Sequence, residues 1–203
     1  MTNFPFRNKN QVILYVTSLK ITTKFSAAMS STIQAATLAP ISNKRPLKKV
    51  AVYTDGACQG NPGPGGWAAI LAYGEQKREL SGGSLRATNN QMEILAAVRA
   101  LEALKTPCEV TVYTDSAYLK NGASHWIENW KKRQWLTKGN QKVRNQELWR
   151  ELDQACSIHQ VRWIQVKGHS THRENCRCDF LAKAEVSKLK HAHNNQSSKV
   201  LPT

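Results

Sequence analysis

The fold of this chain is indicated first by residues 50–73, VAVYTDGACQGNPGPGGWAAILAY. Residues 50–54 predict a strand, and the Gly/Pro cluster over 60–66 is typical of a turn. Residues 67–73 predict a second strand, and residues 77–82 a third. The first part of the fold is therefore predicted to be a meander of three strands.

The remainder of the chain alternates predicted helices with two further strands. Thr88, with Gln91 three residues later, is typical of a capping box at a helix start, and apolar residues follow at helical spacing. The predicted helices are 92–104, 116–121, 124–131, 146–156 and 175–190, and the further strands are 109–114 and 161–166. This order predicts an α/β fold, a five-stranded mixed sheet with helices on both faces.

Four acidic residues stand where an apolar run meets a turn or where a helix opens: Asp55, Glu93, Asp115 and Asp179. Asp55 and Asp115 each follow Tyr-Thr at the end of a predicted strand. An acid that closes a buried strand of an α/β protein lies at the crevice where such folds keep their sites. Several carboxylates brought to one place usually hold a divalent metal.

Taken alone, each acid also has a structural explanation. Asp55 fits a turn residue, Glu93 fits a partner of the helix dipole, and Asp115 fits a helix N-cap. Asp179 is placed to pair with Arg177 or Lys183 of its own helix. The sequence around each acid is needed to distinguish these structural roles from a shared metal site.

The net charge of +15 lies mostly outside the predicted fold. Residues 1–49 carry +8 with no acid, residues 50–187 carry +4, and residues 188–203 carry +3. Excess positive charge predicts affinity for polyanions without identifying one. We therefore expect one folded domain over 50–187, followed by a basic disordered tail over 188–203.

Residues 1–49 lack clean periodicity and are rich in Ser, Thr, Ala and Lys. Three interpretations stay open: a disordered basic arm, an over-long start with Met29 as the true initiator, and an organelle transit peptide. The transit peptide implies a mitochondrion or plastid, and a bacterial origin implies the cytoplasm. No stretch approaches the length of a membrane span, so we expect no membrane partner.

Four motifs carry the acids, in this order along the chain. They are Asp-Gly-Ala-Cys-Gln-Gly-Asn-Pro-Gly from Asp55, Thr-Asn-Asn-Gln-Met-Glu from Thr88, Thr-Asp-Ser from Thr114 and Asn-Cys-Arg-Cys-Asp from Asn175. In these motifs the chain resembles type 1 ribonuclease H in its bacterial-like, single-domain form, over about residues 50–186. The resemblance implies the ribonuclease H-like fold and hydrolysis of the RNA strand of RNA/DNA hybrids.

By this resemblance the four acids, Asp55, Glu93, Asp115 and Asp179, coordinate two Mg²⁺ ions, and Mn²⁺ can substitute because carboxylates are hard oxygen ligands. One ion activates water and the other stabilises the leaving oxygen, so the expected products carry 5′-phosphate and 3′-hydroxyl ends. His169, in a Lys-Gly-His loop, matches the family's histidine that shuttles protons or aids product release. An ordinary imidazole pKa suits that role, although a lone loop histidine is usually only solvated.

The resemblance also implies contacts to each strand of a hybrid. The residues expected at the RNA strand are Cys58, Asn61, Asn89 and Asn90. The residues expected at the DNA strand are Arg86, Thr88, Asn145, Trp126, Trp130, Lys131 and Lys132. The first three of the DNA group match a pocket that grips one phosphate, and the basic stretch 131–144 matches a protruding handle. The alternatives are a core position for the Trp pair and a solvated loop for the basic stretch.

Two positions depart from the family pattern, and both lie near the last acid. Cys176 stands where many relatives carry an acid, and Phe180 stands where relatives often carry a charge. Neither removes a predicted ligand. A non-catalytic hybrid-binding protein on the same fold is the alternative function, and the presence of all four carboxylates favours an enzyme. We expect a monomer. Two processes, primer removal and R-loop clearance, would use this chemistry.

Overall fold

The computed structural model describes residues 46–167 and 172–197, with the backbone alone over 193–197. Within these residues, five strands form one sheet in the order β3-β2-β1-β4-β5. The strands are β1 Lys48–Cys58, β2 Gly63–Tyr73, β3 Gln76–Ala87, β4 Cys108–Thr114 and β5 Gln160–Gln165. β2 pairs antiparallel with β1 and β3, whereas β4 runs parallel to β1 and β5. The predicted five-stranded mixed sheet is confirmed.

Helices cover the sheet on both of its faces. They are α1 Asn89–Glu102, α2 Ala117–Asn121, α3 Ile127–Lys132, α4 Gln146–Ser157 and α5 Arg173–Ser197. The predicted capping box of α1 is confirmed: the Thr88 hydroxyl accepts the Gln91 N–H (3.3 Å), and the Gln91 side chain accepts the Thr88 N–H (2.8 Å). Among the described helices, none combines the length and apolar character needed to cross a bilayer.

The alternation of side chains along the strands produces two cores. The larger core packs one sheet face against α1 and α4, and fully buried members include Val52, Val112 and Trp149. The smaller core packs β2 residues Ala68 and Ile70 against Cys178 and Ala182 of α5. The sheet is therefore the middle layer, and its strand ends are the natural place for a site.

Several elements differ from the sequence prediction, among them β3, which runs over Gln76–Ala87 rather than 77–82. Strands β1 and β2 continue into the predicted turn, because their pairing persists as far as Cys58 and Gly65. The predicted helix over 124–131 is a π-helical turn, Gly122–Trp126, followed by α3. α5 continues to Ser197, past the expected domain end at residue 187, and its Leu189 side chain lies against Gly83 of β3. The first ten residues of the expected tail are therefore helical, and residues 198–203 lie outside the described part of the chain.

Candidate active site

Three carboxylates meet near the carboxyl ends of the two central parallel strands. One oxygen from each of Asp55, Glu93 and Asp115 lies within 4.8 Å of the others. Asp55 and Glu93 are buried, with exposed fractions of 6% and 4%, and Asp115 is half-buried. Carboxylates are seldom buried unless they are paired or bind a metal. The cluster therefore has the character of a cation site.

The register of the parallel strands places the two aspartates side by side. Thr54 of β1 is the partner of Thr114 at the end of β4, so the next residues, Asp55 and Asp115, are neighbours. The Ser116 hydroxyl caps α2 by accepting one of its backbone N–H groups (3.2 Å). Asp115 is therefore not the N-cap, and its carboxylate is available to the cluster.

Glu93 reaches the cluster because α1 packs directly on β1 at Gly56. A Cβ on Gly56 would lie 2.5 Å from the Glu93 backbone nitrogen and 2.8 Å from the Met92 carbonyl carbon. These separations are shorter than real side chains tolerate, and both atoms belong to backbone. Any larger residue at position 56 would therefore push α1, and Glu93 with it, away from Asp55.

Asp55 holds its proton far more tightly than an ordinary aspartate. Burial raises its pKa first, and the charges of Asp115 and Asp179 add to the effect. The Gly56 N–H, which donates to Asp55 Oδ1 at 2.8 Å, and the Lys183 ammonium act in the opposite direction. The net result is a pKa raised from 3.8 to about 7, so a cation that binds here displaces a proton.

Glu93 has one carboxylate oxygen that lacks a hydrogen bond. Its Oε1 accepts from Asn89 Nδ2 at 3.5 Å, whereas its Oε2 is buried and has no partner among the described residues. Burial, followed by the charges of Asp55 and Asp115, raises the pKa of Glu93 well above its ordinary value. An unpartnered buried oxygen beside two aspartates suits a hard divalent cation.

Asp179, the fourth predicted ligand, stands apart from the group of three. Its Oδ2 accepts from Lys183 Nζ at 2.8 Å, across one turn of α5. It lies near enough for its charge to raise the pKa of Asp55. The structure thus brings three of the four predicted ligands together and pairs the fourth with a lysine of its own helix.

The side chains that flank Asp179 on α5 differ in their burial. Cys178 is buried, and its Sγ donates to the Tyr53 carbonyl at 3.4 Å. Phe180 is 60% exposed, and the Arg177 guanidinium lies 5.3 Å from its ring centroid. Cys176 is exposed. Both departures from the family pattern, Cys176 and Phe180, therefore lie at the surface of α5.

The predicted histidine lies where the structure gives no description. His169 falls within residues 168–171, which are outside the described part of the chain. Its role in proton transfer or product release stays a prediction.

The residues predicted at the RNA strand adjoin the carboxylate cluster. Asn61 Oδ1 accepts the Asn89 backbone N–H at 3.3 Å, and the Asn89 side chain in turn contacts the catalytic candidate Glu93. Asn90 is exposed at the start of α1. The Cys58 Sγ donates to the Ala87 carbonyl at 3.0 Å and so joins the ends of β1 and β3.

The residues predicted to grip a DNA phosphate are exposed or partly buried polar groups. Arg86 is exposed near the end of β3, and the Thr88 hydroxyl is engaged in the capping box of α1. Asn145 adopts a left-handed conformation (φ 58°, ψ 31°) at the start of α4. Its Nδ2 donates to the Tyr118 hydroxyl at 3.4 Å.

The Trp pair belongs to an aromatic cluster. Trp130 lies 5.8 Å from Trp126 and 5.6 Å from Trp149, measured between ring centroids, and it packs on the larger core. Lys131 Nζ lies 3.1 Å from both Glu128 and Asp153. Two of the three N–H donors of Lys131 therefore face carboxylates, which leaves one for a DNA phosphate while both ion pairs stay closed. Lys132, the next residue, is exposed.

Sequence reasoning missed two residues beside the site. The sequence predicts Lys183 only as a structural partner of Asp179, at the i+4 spacing typical of an ion pair, and gives no sign that its ammonium also acts to lower the pKa of Asp55. Tyr118 was assigned no role, since nothing in its local sequence indicates that its hydroxyl meets Asn145, 27 residues away.

An α/β sheet of this order, with three carboxylates clustered near its strand ends, is typical of a protein that binds a divalent cation at that edge. A ribonuclease H family model matches residues 47–187. The chain belongs to the ribonuclease H family.

Individual relatives agree with this assignment. The chain is 56% identical over 143 residues to a ribonuclease H of Acetivibrio thermocellus, covering 70% of this chain and 97% of that one. It is 55% identical to a ribonuclease H of Bartonella tribocorum, covering 70% and 92%. Among solved structures it resembles LC9-RNase H1, described as a type 1 RNase H with the type 2 active-site motif. The TM-score is 0.66 and the identity 31%, over 71% of this chain and 75% of that one.

Proposed function

We propose that this protein is an endonuclease that hydrolyses the RNA strand of RNA/DNA hybrids in a metal-dependent reaction. The observation that carries the proposal is the cluster of Asp55, Glu93 and Asp115 in a chain of the ribonuclease H family. A solved relative, LC11-RNase H1, has been crystallised in complex with an RNA/DNA hybrid; its 23% identity supports the shared fold alone.

Mg²⁺ is the cation that the donor set fits best. Asp55, Glu93 and Asp115 would hold it, and Asp179 would join them once its carboxylate leaves Lys183. Two bound ions would supply Lewis acidity to the attacking water and to the leaving 3′ oxygen, giving 5′-phosphate and 3′-hydroxyl ends. Mn²⁺ prefers similar oxygen ligands and would substitute.

The residues of this chain orient the substrate around that centre. Asn61, Asn89 and Asn90 carry amides that both donate and accept, as recognition of a 2′-hydroxyl requires. The backbone at Cys58 would contact the same strand. His169, which follows β5, would move a proton or help the cleaved strand to leave.

The DNA strand would be held through its phosphates and its shape. Arg86, Thr88 and Asn145 would grip one phosphate, since Arg and amide N–H groups donate to phosphate oxygens. Trp126, Trp130, Lys131 and Lys132 would lie along the same strand. Affinity from the basic stretch 131–144 would weaken with salt, because phosphate contacts release counterions.

The proposed activity is tested by incubating a labelled hybrid and Mg²⁺ with one of three proteins: the wild type, Asp55→Asn or Asp153→Asn. Asp153 is the only aspartate outside the predicted site, so its variant has the same change of charge. We expect the wild type and D153N to cut and D55N to lose at least about 100-fold in rate, as for loss of a transition-state electrostatic contact. Undiminished cutting by D55N would refute the site.

The same assay separates the enzyme from a non-catalytic hybrid-binding protein. Tight binding of the hybrid by a folded wild type without cleavage in Mg²⁺ would favour the binding protein. The presence of all four predicted carboxylates supports the enzyme.

The proposal also covers the oligomeric state, which we expect to be a monomer, and the cellular compartment. Light scattering on a size-exclusion column measures the mass directly, and we expect that of one chain. N-terminal sequencing of the natural protein distinguishes a basic arm, a start at Met29 and a cleaved transit peptide, and with them the cytoplasm from a mitochondrion or plastid. Domain limits of 50–187 are likewise proposed and are tested by limited proteolysis.

A further inference from the structure

The Tyr118 hydroxyl receives two N–H donors from different parts of α4. Asn145 Nδ2 and Trp149 Nε1 both lie 3.4 Å from it. An indole N–H can only donate, so the direction of the Trp149 contact is certain. The Tyr118 oxygen is thus an acceptor held between the start of α4 and its second turn.

The position of this acceptor is fixed by packing. Trp149 has no exposed surface, and its indole lies directly on Gly122, where even a Cβ would overlap the ring. The Tyr118 ring lies 5.4 Å from Trp149 and 5.7 Å from Trp126 between centroids, in tilted and edge-on geometry. Aromatic pairs of this kind hold one arrangement, so the hydroxyl has little freedom to move.

Asn145 occupies a position where its side chain would ordinarily cap α4. It is the N-cap residue, yet it makes no side-chain hydrogen bond to the helix. Its left-handed backbone (φ 58°) turns the amide elsewhere, a conformation that Asn tolerates better than most residues. The amide nitrogen carries two hydrogens. With one directed at Tyr118, the other is left to donate.

We propose that Tyr118 is a positioning residue, whose hydroxyl orients the Asn145 amide so that its second N–H faces a phosphate of the DNA strand. The inference rests on the proposed function, because it assigns a support to one of the phosphate contacts. It assigns Tyr118 no contact with the reacting atoms, so it predicts an effect on substrate binding and none on the chemical step.

Tyr118→Phe keeps the ring and removes only the acceptor. Loss of a neutral hydrogen bond of this kind weakens binding by about 2- to 10-fold. We therefore expect KM for a hybrid to rise by that factor, with kcat changed less than 2-fold. Asn145→Gly, which tolerates the left-handed backbone, should raise KM to a similar or greater extent, and the double variant should be no worse than N145G alone. Tyr73→Phe, at the far end of β2, is the matched control.

A chemical substitution in the substrate tests the phosphate itself. Neutral methylphosphonates are placed one at a time along the DNA strand, and hybrid binding is measured for each protein. The wild type should bind more weakly when a methylphosphonate replaces the phosphate that Asn145 contacts, and Y118F and N145G should both lose that sensitivity. A structural defect in Y118F would instead weaken binding at every position alike.

Folding is checked by circular dichroism at the assay temperature, since Y118F leaves the buried Trp149 N–H without its acceptor. If Y118F does not fold, Y118F/W149F removes donor and acceptor together and is tested in the same way. Unchanged KM, a fall in kcat alone, additive effects in the double variant, or full methylphosphonate sensitivity in Y118F would each overturn the inference. Failure of the wild type to cut a hybrid would refute the proposed function instead.

Discussion

Replacing Asp55 with Asn should stabilise the metal-free protein at alkaline pH while abolishing its metal site. The Asp55 carboxyl titrates near 3.8 in an unfolded chain and at about 7 in the folded protein. Between these values the folded state binds the proton more tightly, so its stability falls as the pH rises from about 4 to 7. An Asn side chain keeps the shape and an acceptor for the Gly56 N–H, but it has no charge to bury.

The magnitude follows from the two pKa values. Each unit of difference corresponds to about 1.4 kcal/mol. Relative to a side chain that does not titrate, Asp55 therefore lowers the free energy of unfolding by at most about 4 kcal/mol at pH 8 and about 2 kcal/mol at pH 5. The gain from D55N should therefore be roughly twice as large at pH 8 as at pH 5. In a domain of this size, the gain at pH 8 corresponds to a Tm increase of about 10 °C.

Urea unfolding in EDTA, at pH 5 and pH 8, measures both values directly. Asp153→Asn is the control, because it makes the same change in net charge at an aspartate paired with Lys131 and should change stability by less than about 0.5 kcal/mol. Added Mg²⁺ should stabilise the wild type at pH 8 through binding and leave D55N unchanged. Destabilisation by D55N at pH 8, or an equal gain at both pH values, would refute the electrostatic account of the cluster.

Three further predictions concern metal, packing and pH. Mg²⁺ binding should release protons and become tighter from pH 6 to 8, because the cation displaces the proton of Asp55. Titration calorimetry in buffers of different ionisation enthalpy measures the proton release. A Mg²⁺ affinity that does not change with pH would contradict this prediction. Gly56→Ala should lower hybrid cleavage by more than about 10-fold by displacing Glu93. Gly139→Ala is the control for fold and rate, because a Cβ there would meet only Thr137 Oγ1, at 3.9 Å. Burial lowers the pKa of His159 below 6.5, so this residue favours folding above pH 6.5 and loses that contribution as the pH falls below 6.5. His159→Gln should therefore make the free energy of unfolding vary less between pH 6.5 and 5. An unchanged slope in urea unfolding would show that His159 does not cause this pH dependence.

The sequence predicted those parts of the fold that depend on local patterns. The Thr88–Gln91 capping box is specified within four residues. The repeated Tyr-Thr-Asp predicted matching positions for Asp55 and Asp115 on strands that proved to be neighbours, although β1 continues past Asp55 to Cys58. The motif around Glu93 supplied the third acid of the cluster.

Features that depend on packing between distant segments were not predictable in this way. The π-helical turn at Gly122–Trp126 accommodates Trp149, which enters from α4. The length of β1 depends on its pairing with β2, and the helical residues beyond 187 include Leu189, which packs on β3. The choice of Lys183 as the partner of Asp179, rather than Arg177, follows because Arg177 pairs with Glu79 on β3.

We expect this carboxylate cluster to cut one strand of one kind of duplex. To test this, each strand is labelled in turn in an RNA/DNA hybrid, an RNA duplex and a DNA duplex, and the protein is added with Mg²⁺ or with EDTA. Fragments should come only from the RNA strand of the hybrid, only with Mg²⁺, and with 5′-phosphate and 3′-hydroxyl ends. Cleavage of the DNA strand, cleavage in EDTA, or an intact RNA strand after incubation with folded, hybrid-bound protein would contradict this expectation.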